Sequence, residues 1–365
     1  MATPAKRLYR TERTLTRTLR VAYPSGRGRM VLRTEPDWDR DLEPVAVSED
    51  GNVSTFALEV DQPFLYFKPC LVEGGATHWA VGPDKLVIMT EKDARVSYPH
   101  FFDPEVGRFS PLVELRSNLL DRDHKIRGYV PPGYDENTLS EFPVVYMQDG
   151  QNLFFPAEAF LGRDWAVDKT GDVLRAMNAV EDFIILGVYS SDRMTEYTKP
   201  GYELYARSLV EEVVPEVERR GIRVGRHRRH RSVWGSSLGG VVSFYTAWQH
   251  PDVFGSACCM SSTFSHRDDL IDRVFAEPFR DVGFYLDSGW PGDNYEVTMA
   301  MATALISRGW RYGQNLLHLS FPNATHNEAA WGIRLHVPMQ FLNGSVARAS
   351  RAFHPVLGLK NESML

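Results

Sequence analysis

One short stretch constrains this chain more than any other. Residues 232–242 read Ser-Val-Trp-Gly-Ser-Ser-Leu-Gly-Gly-Val-Val. An apolar strand stops abruptly and an apolar helix begins a few residues later. At the junction sits Gly235-x-Ser237-x-Gly239. A serine held on so sharp a turn adopts a strained backbone, and side chains two residues before or after it would collide with their neighbours. Glycine fits both places. The turn lifts the Ser237 hydroxyl above the sheet and aims the free N–H groups of a helix start at whatever binds there. Ser236 has no glycine two residues after it, so Ser237 is the candidate nucleophile.

The pattern also occurs by chance in small-residue turns, so the rest of the chain must decide. A formal net charge of −6 over 365 residues argues against a general nucleic-acid binder. The three cysteines are Cys70, Cys258 and Cys259. They form neither a disulfide framework nor a metal-binding pattern, which suits a reducing compartment such as the cytoplasm. No apolar run is long enough to span a membrane, and the first residues lack the apolar core of a signal peptide. They are rich in Arg and Thr, as transit segments are, but the alternation over 14–23 reads more naturally as a first strand. The expected partner is a small molecule, with no nucleic acid and no membrane.

The texture of the chain divides it in two. Residues 1–112 read as a small all-β sandwich: short strands over 56–60, 64–68, 78–81 and 86–89, with turn signals such as Gly74-Gly75 between them. The aromatics Phe64, Tyr66, Phe67 and Trp79 are expected to fill its core rather than form a ligand platform. Residues 113–365 alternate strand-like and helix-like segments, which predicts an α/β unit with a doubly wound, mostly parallel sheet. Strands are expected over 112–119, 125–130, 142–147, 183–189, 230–234, 254–260, 282–286 and 316–321. Helices are expected from near Trp165 and over 203–219, 238–249, 269–275, 296–307 and 328–341, the one over 203–219 kinked or started late by Pro215.

A serine hydroxyl needs a histidine to take its proton and an acid to orient that histidine. On such a sheet both belong in loops at the C-terminal ends of strands. Of eleven histidines, His326 lies in the loop after the last strand, whereas His318 falls inside that strand and His336 inside the final helix. The preceding loop, 287–294, offers two carboxylates. Asp287 sits at the expected strand end, where it can cap its own turn. Asp293 lies deeper, where it can swing toward the histidine, and is the favoured acid with Asp287 the alternative. For a developing oxyanion the donors are the N–H of Leu238, after the nucleophile, and the N–H of Gln151 in the loop Asp149-Gly150-Gln151.

Arg193 follows a strand end; it either binds substrate or pairs with Glu196. Trp290 is a second candidate for substrate contact. The basic run Arg226-His227-Arg228-Arg229-His230-Arg231 precedes the elbow strand, at the end away from Ser237, and reads as a solvated loop. His227-x-x-His230 is not a convincing metal pair. Neither a metal nor a cofactor is expected.

Several longer motifs carry a family resemblance. They are Arg127-x-Tyr129-x-Pro131-Pro132-Gly133-Tyr134, Tyr146-Met147-Gln148-Asp149-Gly150-Gln151-Asn152-Leu153-Phe154 and Arg193-x-x-Glu196-Tyr197. Then come the Gly235–Gly240 elbow, Gly289-x-x-x-Asp293, and His326-Asn327-Glu328 followed by Trp331. Together they resemble the putative-esterase family of α/β-hydrolases, which holds enterochelin, feruloyl and acetyl-xylan esterases, S-formylglutathione hydrolases and mycolyltransferases. The resemblance implies an α/β-hydrolase domain with Ser237, His326 and Asp293 as triad and Gln151 and Leu238 as oxyanion donors. It also implies an immunoglobulin-like front domain and a serine esterase acting on a siderophore, aromatic or carbohydrate ester. Acyl transfer to a sugar or alcohol by the same triad is the alternative, and a non-catalytic binding protein on the same fold the rival from another class. Relatives often place two residues between the loop glycine and the acid; here there are three, which keeps Asp287 open.

Overall fold

A computed structural model describes residues 9–90 and 95–344. They group into two compact units. One holds the residues up to Gly107 together with Pro131–Ser140; the other holds Arg108–Val130 and the residues from Glu141 onward.

The first unit is built of two sheets. In one, Leu15–Ala22 pairs antiparallel with Val53–Val60 along its whole length, Leu15 opposite Val60 and Ala22 opposite Val53. Ala46–Val47 and Arg95–Ser97 flank the pair. In the other, the order is Asp37–Leu42, Arg29–Thr34, Phe64–Glu73 and Ala76–Trp79, with Lys85–Ile88 also pairing with Phe64–Glu73. Alternation decides which side chains go inward. Leu19, Val21, Phe56 and Leu58 from the first sheet meet Leu32, Leu65, Phe67 and Leu71 from the second in one core. The aromatics therefore split. Phe67 is buried, whereas Tyr66 and Trp79 are 37% and 40% exposed, which corrects the expectation that all of them fill the core.

The segment Pro131–Ser140 belongs to this unit through its polar groups. Glu136 accepts hydrogen bonds from the backbone N–H groups of Phe101, Phe102 and Asp103, at 2.7–2.8 Å, and from the Tyr23 hydroxyl at 2.8 Å. The Asn137 side chain donates to the carbonyls of Ala22 and Pro99.

The second unit carries a nine-stranded sheet. Its order is Arg108–Phe109, Arg122–Val130, Ile184–Val188, Val144–Gln148, Arg231–Ser236, Ser256–Met260, Gly283–Trp290 and Leu316–Pro322, with Val113–Ser117 also on Arg122–Val130. From Ile184–Val188 to Leu316–Pro322 every pairing is parallel; Arg122–Val130 is antiparallel. The central strands are buried on both faces, as parallel strands covered by helices must be. Ile184–Val188 and Arg231–Ser236 lie on opposite sides of Val144–Gln148, so the chain reverses its direction of travel there. A crevice opens at such a reversal, beyond the ends of the two strands that diverge.

Two elements depart from the sequence reading, and a third shows the interruption expected near Pro215. The helix expected over 203–219 runs as Gly201–Ser208, a π-helical turn Leu209–Val213, and Val214–Arg219. The wide turn falls just before Pro215, which has no N–H to donate. The last helix is two, Glu328–Arg334 and His336–Asn343. The strand expected to end at Asp287 continues to Trp290, paired from Phe284 onward with Leu316–Pro322. Among the described residues no helix is long and apolar enough to cross a membrane.

Candidate active site

Ser237 follows the strand Arg231–Ser236 and precedes the buried helix Leu238–Gln249. Its backbone sits at φ 55°, ψ −126°, a region non-glycine residues rarely occupy and which costs about 1–3 kcal/mol. The turn is fixed by its surroundings. The Ser237 N–H donates to the Met260 carbonyl at 2.9 Å. A Cβ on Gly235 would lie 2.4 Å from the Gly239 carbonyl oxygen, so no larger residue fits.

The Ser237 hydroxyl lies 2.9 Å from His326 Nε2. His326 Nδ1 lies 2.6 Å from Asp293 Oδ1. The three groups come from three loops beyond the C-terminal ends of strands, and only the fold brings them together. Asp293 is wholly buried. Its other oxygen, Oδ2, accepts hydrogen bonds from the Gly289 N–H at 2.6 Å, the Ser261 hydroxyl at 2.7 Å and Arg334 Nη2 at 3.2 Å. Burial pushes the carboxyl up, but the bonds from His326, Ser261 and Gly289, with the Arg334 charge, hold it below the ordinary value. Gly289 must be glycine here, since a Cβ would lie 2.1 Å from the Ala324 carbonyl oxygen.

Asp287 does not reach the histidine. It lies inside the extended strand rather than at its end, opposite Leu319. Its Oδ2 accepts from the Tyr285 hydroxyl at 2.9 Å, and its Oδ1 lies 3.1 Å from Arg334 Nη2. Burial pushes its carboxyl up to about 6, against the opposing pull of Arg334.

Gln151 lies in the tight turn Gly150–Asn152, after the strand Val144–Gln148. Its side chain is tied down, donating to Ser190 Oγ at 2.8 Å and accepting from the Ser190 N–H at 3.2 Å. Leu238 follows the neighbouring strand, so the two residues flank the crevice between them. Arg193 pairs with the buried Asp149, Nε to Oδ1 at 2.9 Å, and not with Glu196. Glu196 is held instead by Arg122, whose Nη2 donates to Oε2 at 2.5 Å. Trp290 ends its strand 51% exposed. Arg228 and Arg231, from the basic run, pair with Asp281 and Glu218 at the other end of the sheet. Among the described residues no cluster of His, Cys, Asp or Glu could hold a metal ion.

Ser261, Tyr285 and Arg334 were not singled out from the sequence. Arg334 left one trace: it falls on the apolar face of its helix, three residues after Trp331, and both are buried.

Residues 117–338, more than half of the chain, match the family described as Putative esterase. The uncharacterized protein YbbA of Bacillus subtilis (strain 168) is 27% identical over 141 residues, which are 37% of this chain and 55% of that protein. The matched region thus spans about half the length of that relative. Among solved structures, a ferulic acid esterase superposes with a TM-score of 0.55 at 19% identity, covering 65% of this chain and 98% of its own. The enterobactin esterase FES from Shigella flexneri, solved in the presence of enterobactin, gives a TM-score of 0.55 at 13% identity, over 92% of this chain and 94% of its own. At these identities the likeness is one of fold. The family match runs across the elbow, the acid loop and the histidine loop alike, and the chain belongs to the putative esterase family.

Proposed function

We propose that this protein is a serine esterase working through an acyl-enzyme, with Ser237, His326 and Asp293 as its triad. The observation that carries this is the unbroken relay from Ser237 Oγ to His326 Nε2 and from His326 Nδ1 to Asp293, at 2.9 and 2.6 Å. His326 takes the hydroxyl proton as Ser237 Oγ bonds to the ester carbonyl carbon. The carbonyl oxygen becomes an oxyanion, held by the Leu238 and Gln151 N–H groups. The C–O bond to the alcohol then breaks, and the departing oxygen receives the proton from His326. Water, deprotonated by the same histidine, releases the acid and restores the serine.

The substrate is a small-molecule ester of siderophore, aromatic or carbohydrate type. Family membership and the fold shared with a ferulic acid esterase and an enterobactin esterase support this class. Trp290, exposed at its strand end, is the candidate aromatic contact. The first unit is read as an immunoglobulin-like module, supported by two sheets that share one core. A cytoplasmic location accords with three cysteines that are all buried and unpaired. The test is hydrolysis of a panel of chromogenic esters from acetyl to feruloyl, plus a ferric catecholate siderophore, with Ser237→Ala as the blank. Serine-dependent turnover of one class supports the reading and names the substrate; hydrolysis that survives in the variant overturns it.

A further inference from the structure

Behind the triad acid lies a second set of buried polar groups that the mechanism above does not use. Arg334 is 2% exposed, and Asp287, Asp293 and Ser261 are wholly buried. One guanidinium nitrogen, Nη2, serves all three neighbours. It lies 3.1 Å from Asp287 Oδ1 and 3.2 Å from Asp293 Oδ2, and it donates to Ser261 Oγ. Ser261 passes the contact on, donating to Asp293 Oδ2 at 2.7 Å while it accepts from Trp331 Nε1 at 2.9 Å. The Ser261 N–H turns back to the Asp287 carbonyl at 2.8 Å. Two carboxylates and one guanidinium therefore share one buried site, joined through a single hydroxyl.

We propose that Arg334 is a positioning residue that fixes the outer oxygen of Asp293, and that Asp287, by neutralising Arg334, leaves the charge of Asp293 available to His326. The inference rests on the reading of Ser237, His326 and Asp293 as the reacting set. Its logic is electrostatic. A buried arginine facing Asp293 alone would cancel the charge that stabilises an imidazolium. With Asp287 ionised, the three side chains sum to one negative charge, and protonation of His326 brings the site to neutrality. With Asp287 neutral, the same step leaves an uncompensated buried positive charge, which is costly.

Among the described residues, Arg334 and Asp293 are the charged side chains that act on Asp287. The groups facing Asp287 are the Tyr285 phenol on its own strand and the Cys258 and Cys259 thiols on the neighbouring one, all raised by burial and so neutral. On the other side the facing residue is Leu319. The Asp287 carboxyl, pushed up to about 6 by burial, loses its proton just below neutrality.

The test follows the titration of His326 by NMR, with the imidazole carbons labelled, in the intact protein and in two variants. Asp287→Asn keeps the shape and removes the negative charge; Arg334→Met removes the positive one. The expected result is opposite displacement. Asp287→Asn moves the His326 midpoint to lower pH by about half a unit or more, and Arg334→Met moves it to higher pH. The acid limb of kcat/KM moves the same way in each, with Arg334→Lys restoring part of the wild-type profile. Coincident His326 titrations in wild type and Asp287→Asn overturn the inference, whatever happens to folding in Arg334→Met. The NMR readout needs no substrate, so this outcome is distinct from failure of the esterase reading, which shows as hydrolysis surviving Ser237→Ala.

Discussion

The two ends of the parallel sheet treat charge in opposite ways. At the N-terminal ends of the strands, ion pairs stay wet. Arg228 meets an exposed Asp281, and Arg231, itself buried, meets a half-buried Glu218. The open hollow beside them, lined by Arg228, Phe279, Arg280 and Asp281, has both arginines already committed to ion pairs. At the C-terminal ends the polar groups are buried and the backbone is bent out of its ordinary range. Ser237, Asp149 and Ser261 all have positive φ, and Asp287, Asp293 and Arg334 are almost inaccessible. On the reading proposed above, the difference separates surface charge from charge that is held for chemistry. The first kind can be removed at small cost; the second is retained against its own desolvation.

The sharpest way to break this comparison is at the reacting groups. Ser237→Ala should lower kcat on the best ester by about 10,000-fold or more, and Asp293→Asn by a similar factor. Asp287→Asn, on the other side of Arg334, should cost about tenfold or less at neutral pH. Equal losses in the two Asn variants would mean that the two carboxylates do not differ in role. Stability should divide along the same line. In urea unfolding, Arg334→Met leaves two buried carboxylates facing each other and should lose about 3–5 kcal/mol. Arg228→Ala, at the wet end, should lose about 1 kcal/mol or less.

A smaller effect sharpens the comparison within the buried end. A carboxyl raised on folding binds its proton more tightly in the native state than in the unfolded one. Asp287 therefore withdraws stability as pH rises from about 4, the unfolded value, through its native value near 6. Asp293, held low, has the opposite sign, and its stabilisation fades only as pH falls through its native value. Unfolding free energies of wild type and Asp287→Asn should thus diverge between about pH 4 and 6, with the Asn variant gaining relative stability by up to about 3 kcal/mol. Parallel curves would remove the distinction between the two aspartates.

What the sequence disclosed follows the reach of each interaction. The elbow was legible because its pattern is short and its sharpest constraint is local: Gly235 is glycine because of the Gly239 backbone in the same turn, although Gly239 itself is crowded by Gln148 and Asp149. His326 was legible because loops after the C-terminal ends of parallel strands converge on the crevice. The choice between Asp287 and Asp293 depended on where a strand ends. That is set by pairing with Leu316–Pro322, which carries the strand on to Trp290 and encloses Asp287. Arg334 was hidden because an arginine on a helix ordinarily points to water, and its two carboxylates lie 41 and 47 positions earlier in the chain. In the first unit, Asp37–Leu42 reads Asp-Trp-Asp-Arg-Asp-Leu, too polar to announce a strand. It takes that form at a sheet edge, where such residues block further pairing.

The return of Pro131–Ser140 to the first unit bears on how such a protein can be inherited. Glu136 and Asn137 satisfy backbone groups at residues 22, 99 and 101–103, yet their codons lie beyond the first strands of the second unit. A recombination that lifted out the leading codons as one block would leave those partners behind in the donor. The two units are thus interleaved along the gene, and the first cannot travel as an independent cassette without taking part of its neighbour with it.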